Sequence, residues 1–75
     1  MFPIEFLHGS ERAEIAEVDG EPTFVSRMSE LGLRVGSSVR MIQPGYPCLV
    51  EVDESRLSLR LGKSAQVLVK PVPLR

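Results

Sequence analysis

The residues predict an all-β fold with one short helix: about five strands forming a small curled sheet or partly open barrel, the helix inserted after the first strand. Three observations carry this expectation. From Val39 onward, apolar and polar residues alternate in several short runs, which is the period of a half-buried strand. One stretch has helical spacing instead, with Phe24, Met28 and Leu31 at i, i+4 and i+7 and Val25 beside them. Turn signals separate the runs, and short strands of this kind lose their exposed edges by closing on themselves.

In chain order, Met1 to Leu7 reads as an apolar lead-in that packs on the body, ended by Gly9-Ser10. The first strand is expected near Glu11. Between Arg12 and Val18 two phases compete: Ala13 and Ile15 alternate with Glu14, while Ala16 and Val18 fall on the opposite phase. Either a β-bulge or a two-sided strand reconciles them. Asp19-Gly20 ends the strand. Asp19 or Thr23 can cap the helix, and Pro22 suits its first turn.

The helix is expected to run from about Pro22 to Leu31, with Arg27, Ser29 and Glu30 facing outward. Gly32 follows the last apolar residue, where a left-handed cap needs positive φ and no Cβ. In a Schellman ending Leu33 then returns to touch Met28. Gly36 marks a second turn.

Val39 and Met41 alternate with Ser38, Arg40 and Ile42 in a strand closed by Pro44-Gly45. Cys48, Val50 and Val52 alternate with Leu49, Glu51 and Asp53. After the polar turn Asp53-Glu54-Ser55, Leu57, Leu59 and Leu61 alternate with Ser58 and Arg60, making this the clearest hairpin in the chain. Gly62 to Ala65 is a polar break or one helical turn. Val67 and Val69 form a last strand ended by Pro71, and the tail Pro71-Val72-Pro73-Leu74-Arg75 lacks donors to extend a ladder. The expected core is Leu31, Leu33, Val39, Val50, Val52, Leu57, Leu59 and Val67.

A chain of 75 residues is one domain, 1–75, with its core over about residues 7–70. Such a core supplies only about 3–5 kcal/mol of stability. The single cysteine, Cys48, rules out an internal disulfide framework and fits a reducing cytoplasm. Pro3 and Glu5 interrupt the apolar N-terminus, so neither a signal peptide nor a spanning segment is expected. Net charge is −1, which gives no overall pull toward nucleic acid or anionic lipid. The charge is unevenly placed, however. Residues 1–30 hold seven acids against two bases, net −5, and residues 31–75 seven bases against three acids, net +4.

No constellation for catalysis is apparent. His8 is the only histidine and Cys48 the only thiol, far apart in the chain, and Cys48 beside Pro47 reads as a small buried hydrophobe. His8, Glu11 and Glu14 are close in sequence but lack the spacing of a metal cage, and Met28 and Met41 read as core rather than as soft ligands. Gly32 and Gly36 lack the spacing and lysine of a phosphate loop. Arg34, Arg40, Arg56, Arg60 and Lys63 are spread out, with Tyr46 as the one stacking ring nearby, so no nucleic acid partner is expected. No catalytic, cofactor-binding or metal-ligating residue is therefore assigned.

The run Arg27-Met28-Ser29-Glu30-Leu31-Gly32-Leu33-Arg34-Val35-Gly36-Ser37-Ser38-Val39 resembles the R-L-x-x-L-G-L-x-P-G-x-x-V motif of the ferrous iron transport protein A family. Leu57-Ser58-Leu59-Arg60 is similar to its later L-A-L-R motif. Leu7-x-Gly9-x-x-Ala13-x-Ile15 resembles its opening segment and Ala65-x-Val67 its closing strand. The likeness covers nearly the whole chain. Val35 replaces the usual proline, His8 stands where a proline often precedes the opening glycine, and Glu54 takes a turn position usually held by glycine. Gln43 to Pro47 lacks the usual glycine pair.

The resemblance implies an SH3-like barrel and a non-enzymatic cytoplasmic accessory that binds the membrane ferrous iron permease/GTPase, with the oligomeric state left open. The alternative is a metal-sensing regulatory domain, like the SH3-like domain at the C-terminus of iron-dependent repressors. Against that stands the lack of a helix-turn-helix segment and of a ligand cluster.

Overall fold

The structure, a computed structural model, describes residues 1–72. Pro73, Leu74 and Arg75, the end of the donor-poor tail, lie outside the described residues. The elements are β1 (Phe2–Pro3), a single 3₁₀ turn (Ile4–Phe6), β2 (Arg12–Gly20), α1 (Pro22–Glu30), β3 (Ser38–Gln43), β4 (Cys48–Val52), β5 (Ser55–Leu59) and β6 (Ala65–Pro71). They form one antiparallel six-stranded sheet in the order β1-β6-β2-β3-β4-β5.

The all-β class with one helix holds, with one correction to the count. There are six strands rather than about five, and the helix follows the second strand in chain order. The additional strand is the lead-in, where Phe2 pairs with Val69 and Pro3 with Leu68. A two-residue strand has no period to read, so alternation could not reveal it. It also starts the fold before residue 7, since Ile4 is fully buried.

Of the two readings of its mixed phases, a bulge or a two-sided strand, β2 has the bulge. Ile15 pairs with Val69 and Glu17 with Leu68, so Ala16 is an extra residue. The insertion moves the inward phase from Ala13 and Ile15 to Val18, which lies opposite Val67. A second register shift, between Met41 and Gln43, bends β3.

α1 begins at Pro22, whose missing N–H costs nothing in the first turn. Its cap is Glu21, without a side-chain hydrogen bond, and not Asp19 or Thr23. Asp19 lies within β2 and Thr23 within the helix, so neither stands at the boundary. At the other end the Schellman geometry is complete. The Gly32 N–H donates to the Ser29 carbonyl at 3.1 Å and the Leu33 N–H to the Met28 carbonyl at 2.8 Å, with Gly32 at φ +100°.

This ending overturns Leu31 as a core residue: it is 41% exposed, while Leu33 is 1% exposed. The reversal at Gly32 carries Leu33 back over the last turn, into the space that helical period alone would give to Leu31. Leu57 is half-buried and packs at the margin of the core. Leu33, Val39, Val50, Val52, Leu59 and Val67 are buried as expected, and Ile4, Leu7, Ala13, Ile15, Met28, Met41, Cys48 and Val69 complete the core. No polar or charged residue is buried among the described residues.

β4 and β5 form the expected hairpin, with Val52 opposite Ser55 across the two-residue turn Asp53-Glu54. Both turn residues have positive φ, +50° and +67°. That is the signature of a type I′ turn, whose twist matches the strands it joins.

Candidate interaction surface

Alternation along β2 to β5 sends Ala13, Met41 and Val50 inward, and their neighbours Arg12, Arg40 and Glu51 to the outer face of the sheet. Register then aligns these neighbours. Arg12 lies opposite Arg40, Arg40 opposite Glu51, and Glu51 opposite Arg56, so one row crosses four strands. Arg40 donates to Glu51 Oε1 through Nε at 3.2 Å and Nη2 at 2.8 Å. The Arg40 hydrogen bonds hold the Glu51 carboxyl below its ordinary range, helped by the charges of Arg40, Arg56 and Arg12.

One carboxylate thus serves three guanidiniums. Among the described residues the ion pairs are Arg40–Glu51, Lys70–Glu14 at 3.9 Å and His8–Glu11, which leaves Arg12, Arg27, Arg34, Arg56, Arg60 and Lys63 without an acidic partner. Of these bases, Arg56 lies on β5 and Arg60 and Lys63 follow it, while Asp53 and Glu54 occupy the turn before it. Sequence reading had these bases as scattered. Their outward phase was readable, but which residues stand side by side depends on register, and the β3 bulge shifts it.

A second feature lies beside the helix, where Val18, Val25, Ser29, Leu33, Arg34 and Val35 line a shallow, mostly apolar groove. Val35, at the position where proline was expected, is 71% exposed on its rim. Tyr46 is exposed in the β3–β4 loop.

The residues weighed for metal or redox chemistry do not come together. His8 and Glu11 meet, with Nδ1 to Oε1 at 3.5 Å, but the imidazole is 87% exposed. The same Glu11 oxygen accepts the His8 backbone N–H at 2.7 Å, so its evident role is to close the turn before β2. Glu14 reaches toward Lys70 instead. Among the described residues no three His, Cys, Asp or Glu side chains converge. Cys48 is buried, and burial pushes its thiol pKa up, away from the reactive thiolate. Met28 and Met41 are core residues.

The comparisons agree with this architecture. The family model for the FeoA domain matches residues 2–71. The solution structure of the FeoA protein from Chlorobium tepidum superposes with a TM-score of 0.85 at 25% identity, over 96% of this chain and 71% of that one. The zinc complex of FeoA from Stenotrophomonas maltophilia superposes with a TM-score of 0.80 at 27% identity, over 93% and 91% of the two chains. That protein is described as a prokaryotic SH3 domain protein and a suggested ferrous iron transport activating factor. An iron uptake regulatory protein, also called FeoA, shares the fold at 14% identity with a TM-score of 0.73, over 92% of this chain and 96% of that one. No curated protein matches the sequence. The curled sheet is thus an SH3-like barrel.

Proposed function

This chain belongs to the FeoA domain family, and from that premise we propose that it is a non-enzymatic accessory of ferrous iron transport. It acts in the cytoplasm by binding the membrane ferrous iron permease/GTPase. The observation that carries this reading is the match over residues 2–71, which makes the family fold the whole described body of the chain. The activating role suggested for the Stenotrophomonas relative supports it, as does a surface that offers a basic row and an apolar groove. In this reading ferrous iron is the partner's cargo, and among the described residues no helix is long and apolar enough to cross a membrane.

The test is affinity capture of the permease from detergent-solubilised membranes under reducing conditions, with and without ferrous iron. Retention of the permease is the expected result. Failure to retain it in both conditions would defeat the proposal.

A further inference from the structure

The sheet has two edges, and they differ. β1 is two residues long and contains Pro3, which offers no N–H. β5 is five residues long, stands last in the sheet order, and has no strand beyond it among the described residues. Val52 and Ser55 flank a two-residue turn, so they form a hydrogen-bonded pair, and bonding alternates along the strand from there. Ser55, Leu57 and Leu59 direct their backbone groups to β4. Arg56 and Ser58 direct theirs outward.

We infer that this edge accepts an extended acidic segment of a protein partner, added antiparallel to β5, with carboxylates at the two positions facing Arg56 and Arg60. This inference deepens the proposed accessory role and rests on it in taking the ligand to be a protein segment. The backbone supplies donors and acceptors at Arg56 and Ser58, and the side chains set the charge. Arg56 ends the row whose single carboxylate is already taken by Arg40, and Arg60 has no acidic partner among the described residues. Half-buried Leu57 sits between them and favours an apolar residue opposite. The matching ligand reads acidic, apolar, small polar, apolar, acidic.

A second copy of this chain is the poorer occupant. Self-pairing of β5 about Arg56 sets arginine against arginine, and pairing about Ser58 sets Arg56 against Arg60. Pairing about Leu57 leaves the two Arg56 side chains diagonal at about 7–8 Å. Like charges thus guard the edge against itself while leaving it open to an acidic strand.

The probe is the capped peptide Gly-Glu-Val-Thr-Val-Glu-Gly, titrated into ¹⁵N-labelled full chain at low salt, with a control peptide carrying lysine for both glutamates. Saturable shifts centred on the Arg56, Ser58 and Arg60 amides are expected, and raising salt should weaken them. The double variant Arg56→Glu, Arg60→Glu should bind at least about tenfold more weakly. Ser58→Pro, which removes an outward N–H on an edge that tolerates proline, should do the same with the rest of the spectrum unchanged. Equal binding of the lysine peptide, indifference to these variants, no saturation at millimolar peptide, or self-association through β5 would each overturn the inference. Permease capture reads the accessory role separately: if the double variant is retained as well as the native chain, the edge is wrong and the accessory role stands.

Discussion

Gly32 is the residue on which the helix-to-sheet transition depends. Its φ of +100° is costly for any residue with a Cβ, and an added Cβ would come within 3.2 Å of Asp53 Oδ2. Gly32→Ala is therefore expected to lower stability by about 1 kcal/mol or more, read as a shifted urea midpoint at unchanged slope. Leu59, 4% exposed at the end of β5 where it pairs with Cys48, tests the core. Leu59→Ala should cost about 2–5 kcal/mol, which leaves a domain of this size largely unfolded. A cooperative, near-native denaturation curve for that variant would contradict the packing. Gly32 and Leu59 were both legible in the sequence, because a cap glycine and an apolar residue on the inward phase of a strand follow from local rules. Leu31 was not: periodicity puts it on the apolar side of the helix, but the returning Leu33, itself expected at that end, is the residue that is buried.

At the level of elements, legibility followed the length of the repeat. β3, β4, β5 and β6 alternate long enough to be read, and the conflict of phases in β2 left a bulge or a two-sided strand, of which the register shows the bulge. β1 and the 3₁₀ turn have no period, and the basic row exists only once four strands are in register. Two expectations belong to the hairpin. Glu54 holds φ +67° in a turn position that glycine fills without strain, so Glu54→Gly should stabilise the domain by up to about 1 kcal/mol, measured by thermal or urea unfolding. Glu51 has its pKa lowered in the folded state, chiefly by the Arg40 hydrogen bonds. A lowered carboxylate binds fewer protons folded than unfolded, so its contribution is present at neutral pH and is lost as pH falls below about 4. The stability gap between the native chain and Glu51→Gln should be largest near neutrality and shrink through acid, and a gap that grows in acid would refute the assignment.

At the scale of the molecule, the architecture separates what holds the domain together from what is left for a partner. The core is apolar throughout, and the charged residues lie outside it. The fold class and family were readable because the Arg27–Val39 motif and the hairpin carry them, whereas the candidate surface depended on register. The metal-sensing alternative weighed from the sequence can be tested on this chain's own residues. Here its nearest basis is the His8–Glu11 pair, a single imidazole 87% exposed beside one carboxylate. Two exposed ligands leave most of a metal's coordination to water, and holding them in place costs side-chain freedom, so such a pair binds weakly. Calorimetric titration of the full chain with zinc, and with ferrous ion under anaerobic conditions, is expected to show only weak binding, with His8→Ala leaving it nearly intact. A stoichiometric submicromolar site lost on His8→Ala would reverse the conclusion, because ligands not adjacent in this fold would then have to converge on His8 when metal binds.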